Sequence, residues 1–131
     1  MSSELERLAA EKYVVLTTFR RDGRAVPSPV WAARDGAELV VWSEREAGKV
    51  KRIRHSGRVE LQACDLRGKQ THGAKATGTA RLLDDEGSER VRRAIARKYG
   101  LIGRVTMTFS RLRGGSRRTI GIAITVDEPA A

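Results

Sequence analysis

The sequence is short of several residue types, and each shortage excludes something. It has one cysteine, Cys64, so no intrachain disulfide can form and a reducing, cytoplasmic setting is expected. Its two histidines, His55 and His72, stand apart from each other and from that cysteine, too few ligands for a zinc site. No metal is expected. Charged and polar neighbours place both histidines at the surface, and Cys64, ending a strand pattern, reads as a small packed hydrophobe. Aromatic residues make up 5% of the chain, a thin supply for stacking nucleic-acid bases. There is no P-loop and no Gly-x-Gly-x-x-Gly after a strand. The first residues lack a signal-peptide pattern, and no apolar run approaches the roughly 20 residues that span a bilayer. A soluble chain is expected, and its 131 residues fit one domain with its own core.

Positive charge is abundant. Lysine and arginine number 26 against 16 acidic residues, a net charge of +10. A surplus this large suits nucleic acid, an acidic membrane surface or a phosphorylated small molecule, and it also serves plain solubility. Composition leaves these open. The scarce aromatics, which fall mostly in strand patterns, weigh against nucleic acid.

The local patterns alternate strands with tight turns. Ser2 or Ser3 can cap a short first helix, with Glu6 as the capping-box partner of Ser3 and Leu5, Leu8 and Ala9 on one face. Tyr13–Phe19 is β-branched and aromatic, and Asp22-Gly23 marks a hairpin to a return strand over Ala25–Ala33. Pro27 and Pro29 leave N–H groups missing on one side of that strand, which excludes a regular ladder there. Asp35-Gly36 turns into Glu38–Ser43, a short helix follows to His55, and strands are expected at Arg58–Cys64, Lys75–Leu83 and Thr119–Val126. Asp84, Asp85 and Glu86 read as helix-start charges, Ser88, Val91, Ile95 and Tyr99 as one face of that helix, and Gly100 as its end. Val105–Leu112 has no clear pattern, and 127–131 reads as a loose tail. The expectation is a mainly β protein: six antiparallel strands closing into a barrel, with flanking helices.

One segment stands out chemically. Ser43–Arg58 reads SEREAGKVKRIRHSGR, with six cations opposed only by Glu44 and Glu46. Val50 and Ile53 form the narrow apolar stripe of a helix starting near Gly48. Free N–H groups at that start, the Ser43 hydroxyl and Lys49 together make a phosphate site. A solvated charged face explains the segment equally well.

The run from Tyr13 to Tyr99 resembles the pyridoxamine-phosphate-oxidase-like FMN-binding split barrels. Within them it is most similar to small deazaflavin (coenzyme F420)-dependent oxidoreductases. The matching pieces are YVVLTTFRRDGRAVPSPVWAARDG, VWSEREAGKVKRIRHSGRVELQACDLRG, GTARLLD and ERVRRAIARKYG, in that order. The resemblance implies a homodimer with cofactor clefts at the subunit interface and a small-molecule substrate. It places Ser28, Pro29, Val30 and Trp31 beside the cofactor ring. Trp42, Ser43, Gly48, Lys49 and Val50 fall at its phosphate, and Lys51, Arg52 and Arg54 towards an acidic tail. It implies hydride transfer with the cofactor carrying the chemistry, and no protein acid stands out. Flavin members hold the FMN phosphate with an Arg-Lys pair where this chain has Gly48-Lys49, which tilts the expectation from FMN towards F420. An FMN- or haem-related oxidoreductase, a nucleic-acid-binding module and a non-catalytic cofactor carrier are the rival readings. The basic stretch Arg104–Arg118 is a further candidate to line the cleft.

Overall fold

A computed structural model describes the backbone of residues 3–65, 68–114 and 118–128, and the side chains of these outside 101–114. The strands are β1 (Tyr13–Phe19), β2 (Ala25–Val30), β3 (Ala32–Asp35), β4 (Glu38–Glu44), β5 (Arg58–Cys64), β6 (Thr71–Leu82) and β7 (Thr119–Val126). The helices are α1 (Glu4–Ala9), α2 (Gly48–His55) and α3 (Asp85–Gly114). All strand pairings are antiparallel, in the order β2-β1-β5-β6-β7-β4-β3.

That order has a consequence. The two edge strands, β2 and β3, are consecutive in the chain and separated only by Trp31. The sheet must curl until its edges meet at that residue, and so it becomes a barrel split along a seam. Pro27 and Pro29 sit on edge strand β2, opposite Thr17 and Val15, where a missing N–H interrupts no second ladder.

The expected six strands are therefore seven. The stretch Ala25–Ala33 reads as one strand by composition, but closure breaks it at Trp31 and sends its two halves to opposite edges. The strand expected from Lys75 begins at Thr71, with a register shift between Leu61 and Ala63 on its partner. Gly100 interrupts α3 as expected, at φ 64°, but the helix resumes beyond it and takes up the unassigned stretch Val105–Leu112. Asp127 and Glu128, the described part of the predicted tail, are hydrogen-bonded. The Asp127 N–H donates to the Thr77 carbonyl (2.9 Å), and the Thr77 hydroxyl donates to the Asp127 carboxylate (2.7 Å). Glu128 accepts from the Glu4 and Leu5 N–H groups at 2.8 and 3.2 Å, a carboxylate on the positive end of α1. Residues 129–131 of the predicted tail lie outside the described residues.

Two cores flank the sheet, and β7 serves both. Ile120, Ile122, Ile124 and Val126 point into the barrel with Leu16, Leu39, Val41 and Leu61. Their alternates include Gly121 and Ala123, small residues beneath α3. There Val91 and Ile95 of α3 meet Ala33, Val40 and Ala123, with Trp31, Trp42 and Tyr99 packed around them. The Gly121 N–H donates to the Ser88 hydroxyl (2.8 Å) and its carbonyl accepts from Leu83 N (3.0 Å), tying the start of α3 to β7. Among the described residues no helix is long and apolar enough to cross a membrane.

A Cβ on Gly121 would lie 2.8 Å from Val91 Cγ2 and 3.0 Å from the Ser88 backbone. Gly121→Ala is expected to destabilise the fold by about 1–3 kcal/mol through overpacking, measured by urea denaturation. Combined with Val91→Ala the two costs should be less than additive, since the second change makes room for the first.

Candidate functional site

The seam at Trp31 is clamped by the last turn of α3 before Gly100. The Trp31 and Tyr99 rings stack at 4.3 Å and 8°. The Tyr99 hydroxyl accepts from Ala32 N (3.1 Å) and lies 2.7 Å from the Lys12 carbonyl, to which it donates. The Lys98 ammonium donates to the carbonyls of Glu11 (2.6 Å) and Ala32. Burial pushes the Lys98 pKa down, with Glu11 opposing, and pushes the Tyr99 pKa up, so the phenol keeps its proton as a donor. Residues far apart in sequence thus hold one indole in place.

A cleft of about 400 Å³ opens beside that indole. One wall is Pro29, Val30 and Trp31, where β2 ends. Trp42 and Ser43 of β4 line it next to them, with Ile95 of α3, and the β3–β4 register sets Trp42 beside Trp31. Its far end is Glu44, Ala47 and Lys49, at the start of α2. The walls are apolar and aromatic, and the cation stands at one end. Burial pushes the Lys49 ammonium below the usual lysine range, Arg52 adds to this and Glu44 opposes it. Among the described residues no carboxylate lies within ion-pair distance of Lys49.

Helix α2 leaves its first donors open. Its N-cap is Ala47, whose side chain makes no capping bond. The N–H groups of Val50 and Lys51 both reach the Ala47 carbonyl, at 3.1 and 3.3 Å. Those of Gly48 and Lys49 have no acceptor among the described residues, as the first turn of a helix without a capping side chain requires. Arg52, one turn further on, folds back over this end. Its Nη1 lies 2.8 Å from where a Cβ on Gly48 would stand, so any larger residue there would make the guanidinium shift. Its Nε donates to the buried Thr18 hydroxyl at 2.6 Å.

The sequence-based candidates therefore divide. Pro29, Val30, Trp31, Trp42, Ser43 and Lys49 meet in the one cleft. Ser43 is buried and its hydroxyl donates to the Glu44 carbonyl (3.1 Å). Gly48, Lys51 and Arg52 line a different pocket on the other flank of α2. Val50 lines neither: its side chain is fully buried in the barrel core and its N–H bonds the Ala47 carbonyl. Arg54 is exposed and Ser28 lies on edge strand β2 opposite Leu16, and neither lines the cleft or that pocket. Of the stretch Arg104–Arg118, Arg118 pairs with Glu44 (3.3 Å), and the side chains of 104–117 lie outside the described residues. Sequence reasoning missed Glu44, Ala47 and Ile95 in the cleft, and Lys98 and Tyr99 at the seam beside it. Ile95 and Tyr99 were legible as a helix face, but nothing local says that this face covers the seam.

Comparisons with known proteins agree on the fold. A family model described as pyridoxamine 5'-phosphate oxidase matches residues 3–126. No curated protein matches the chain. Among solved structures, the haem storage protein HutZ of Vibrio cholerae is similar at TM-score 0.66 and 15% identity, over 98% of this chain and 89% of that one. A structure titled F420 reductase is similar at TM-score 0.59 and 18% identity, over 95% and 93%. General stress protein 26 of Bacillus anthracis is similar at TM-score 0.59 and 17% identity, over 92% and 83%. At these identities they share the fold with this chain.

Tyr99→Phe keeps the ring over Trp31 but strips the Ala32 N–H of its acceptor. The expected loss is about 1–3 kcal/mol of stability in urea denaturation. Tryptophan emission should stay close to the parent's, whereas Tyr99→Ala should shift it to longer wavelength by exposing the Trp31 indole.

Proposed function

This chain belongs to the pyridoxamine 5'-phosphate oxidase family, and we propose that it is an oxidoreductase that holds coenzyme F420 in the Trp31–Lys49 cleft and passes hydride between the reduced cofactor and a small organic acceptor. The observation that carries this reading is the order of chemistry along the cleft. Apolar surface from Pro29, Trp31 and Trp42 leads to a half-buried ammonium without a carboxylate partner, on a residue whose helix N–H is also open. That donor set fits a planar ring system joined to a phosphate.

Each residue then has a definite task. Trp31, held by Tyr99, Val30 and the neighbouring Trp42 give the ring its apolar surface. The Lys49 N–H and ammonium receive the phosphate, and Ser43, bonded to Glu44, shapes the floor. The bound deazaflavin supplies the hydride, and the protein supplies position and exclusion of water. The acceptor is a small organic molecule with an electron-poor double bond. A second copy of this chain completes the cleft, as the family resemblance implies. The tail of the cofactor falls to Lys51, Arg52 and Arg54 on the same grounds.

A second reading, FMN in the same cleft, is favoured by one observation. The cation absent at position 48 is supplied in space by Arg52, whose guanidinium lies over Gly48. The glycine therefore argues less strongly against FMN than its place in the sequence implies. Titrating the purified protein with F420 and FMN side by side decides between them. F420 is expected to bind with Kd of about 10 µM or tighter, and Lys49→Ala to weaken it about 10- to 100-fold. No F420 binding, or equal binding by Lys49→Ala, refutes the reading. Absence of enone or quinone reduction by bound, reduced F420 would leave a carrier rather than an enzyme.

The Lys49 environment adds a pH signature. The free ammonium loses its proton below the ordinary lysine value of 10.5. A bound phosphate favours the charged form and raises that value again. Between the two, binding takes up a proton, so affinity falls as pH rises through that window. Calorimetry in buffers of differing ionisation enthalpy should show the uptake as pH rises towards 10.5. Lys49→Arg, charged throughout, should bind without it.

A further inference from the structure

A second cavity, of about 520 Å³, opens against the Trp31–Tyr99 stack where the end of α1 meets β1. Ala10, Lys12 and Tyr13 line it from that junction, Trp31 from the seam, and Lys98 and Tyr99 from α3. It shares Trp31 with the Lys49 cleft and no other residue. Its lining holds three aromatic rings, and two of them, Trp31 and Tyr99, are fixed within 8° of parallel. Rings already held in place offer a planar ligand apolar surface with little further loss of side-chain freedom.

The polar groups of this cavity are donors in excess. The Lys98 ammonium has three N–H bonds, and two go to the Glu11 and Ala32 carbonyls. The third has no oxygen acceptor among the described residues, and the ammonium stands 5.2 Å from the Tyr99 ring centroid. The Tyr99 hydroxyl is committed to the Ala32 N–H and the Lys12 carbonyl, whereas that of Tyr13 has no hydrogen-bond partner among the described residues. Lys12 is exposed. Among the described residues neither Lys12 nor Lys98 has a carboxylate within ion-pair distance, and the carboxylate of Glu11 goes to His72 (3.1 Å). Holding the seam therefore accounts for two of the Lys98 donors and for the Tyr99 hydroxyl. It leaves the third Lys98 N–H, the Lys12 ammonium and the Tyr13 hydroxyl without a task. Burial penalises the Lys98 charge and Glu11 opposes that penalty; an anion in the cavity would oppose it further.

We propose that this cavity binds a planar aromatic carboxylate, with its ring against Trp31, Tyr99 and Tyr13 and its carboxylate on Lys98, Lys12 and the Tyr13 hydroxyl. Two ammonium groups and one phenol match the acceptor positions of a single carboxylate. The site rests on the chain's own residues, whichever cofactor the Trp31–Lys49 cleft holds.

The probe is 2-naphthoate, titrated by calorimetry into the purified full chain. The parent protein should bind it saturably, with Kd of about 1 mM or tighter. Lys12→Ala/Tyr13→Phe removes two of the donors and spares the seam, because Tyr99 bonds the backbone carbonyl of Lys12. This variant should bind about fivefold or more weakly. Arg93→Ala removes the same charge from the exposed face of α3 and should change affinity less than about twofold. Lys49→Ala should also change it less than about twofold, since Lys49 lines only the other cleft. Of two analogues, 2-naphthamide keeps the flat ring without the charge, and decahydro-2-naphthoate keeps the charge without the flat ring. Each should bind about fivefold or more weakly than 2-naphthoate. No saturable binding by the parent, an unchanged double variant, an equal loss in Arg93→Ala or Lys49→Ala, or undiminished binding of either analogue overturns the proposal.

Discussion

Both edges of the sheet are one stretch of chain. β2 and β3 lie at opposite ends of the strand order, yet a single residue, Trp31, joins them. Edge strands with unpaired N–H and C=O groups are a liability, and here the covalent chain itself closes the gap. The closure leaves a seam where backbone groups escape the ladder. Tyr99 and Lys98 reach that seam from α3 and bond the Ala32 N–H and carbonyl. The cleft exists because the seam does: one wall is the end of β2, and the α3 face that covers the seam contributes Ile95. Small residues on the outer face of β7 let α3 come close enough to do this.

The charge of the chain is arranged around the same fold. Acidic residues neutralise arginines over much of the surface, while the first turn of α2 stands between two regions of unpaired cation. Lys49 faces the aromatic cleft and Lys51 and Arg52 face the pocket on the other flank. Adjacent helix positions diverge by about 100° (3.6 residues per turn), so a short basic helix presents cations on two flanks at once. Val50 and Ile53, buried beneath, decide which flank each cation takes.

Much of the local structure was legible. The Ser3 hydroxyl accepts from Glu6 N at 3.0 Å, as the capping pattern predicts. Gly23 and Gly36 take positive φ in the two Asp-Gly hairpin turns. The prolines lie on an edge, and Val50 and Ile53 point inward. The break at Trp31 was not legible, because VPSPVWAA carries no turn signal and the break answers to closure by strands up to ninety residues away. The bonds of Glu128 escaped notice for the same reason: its carboxylate accepts from the N-terminus of α1, a partner no local window contains. The Arg52–Gly48 approach, at helical i,i+4 spacing, was within reach of the sequence and went unread.

By itself, the sequence determined what neighbours along the chain can settle: strand and helix periodicity, turns, caps, and an inventory of cations concentrated after β4. Those properties depend on side-chain alternation and backbone sterics over a few residues. Only the tertiary structure decided the order of the strands, the seam at Trp31, the clamp by Tyr99 and Lys98, and which cations lack an acid. Each of these is a contact between residues far apart in the chain. Such a contact depends on how the closed barrel brings them together, and no local pattern encodes that.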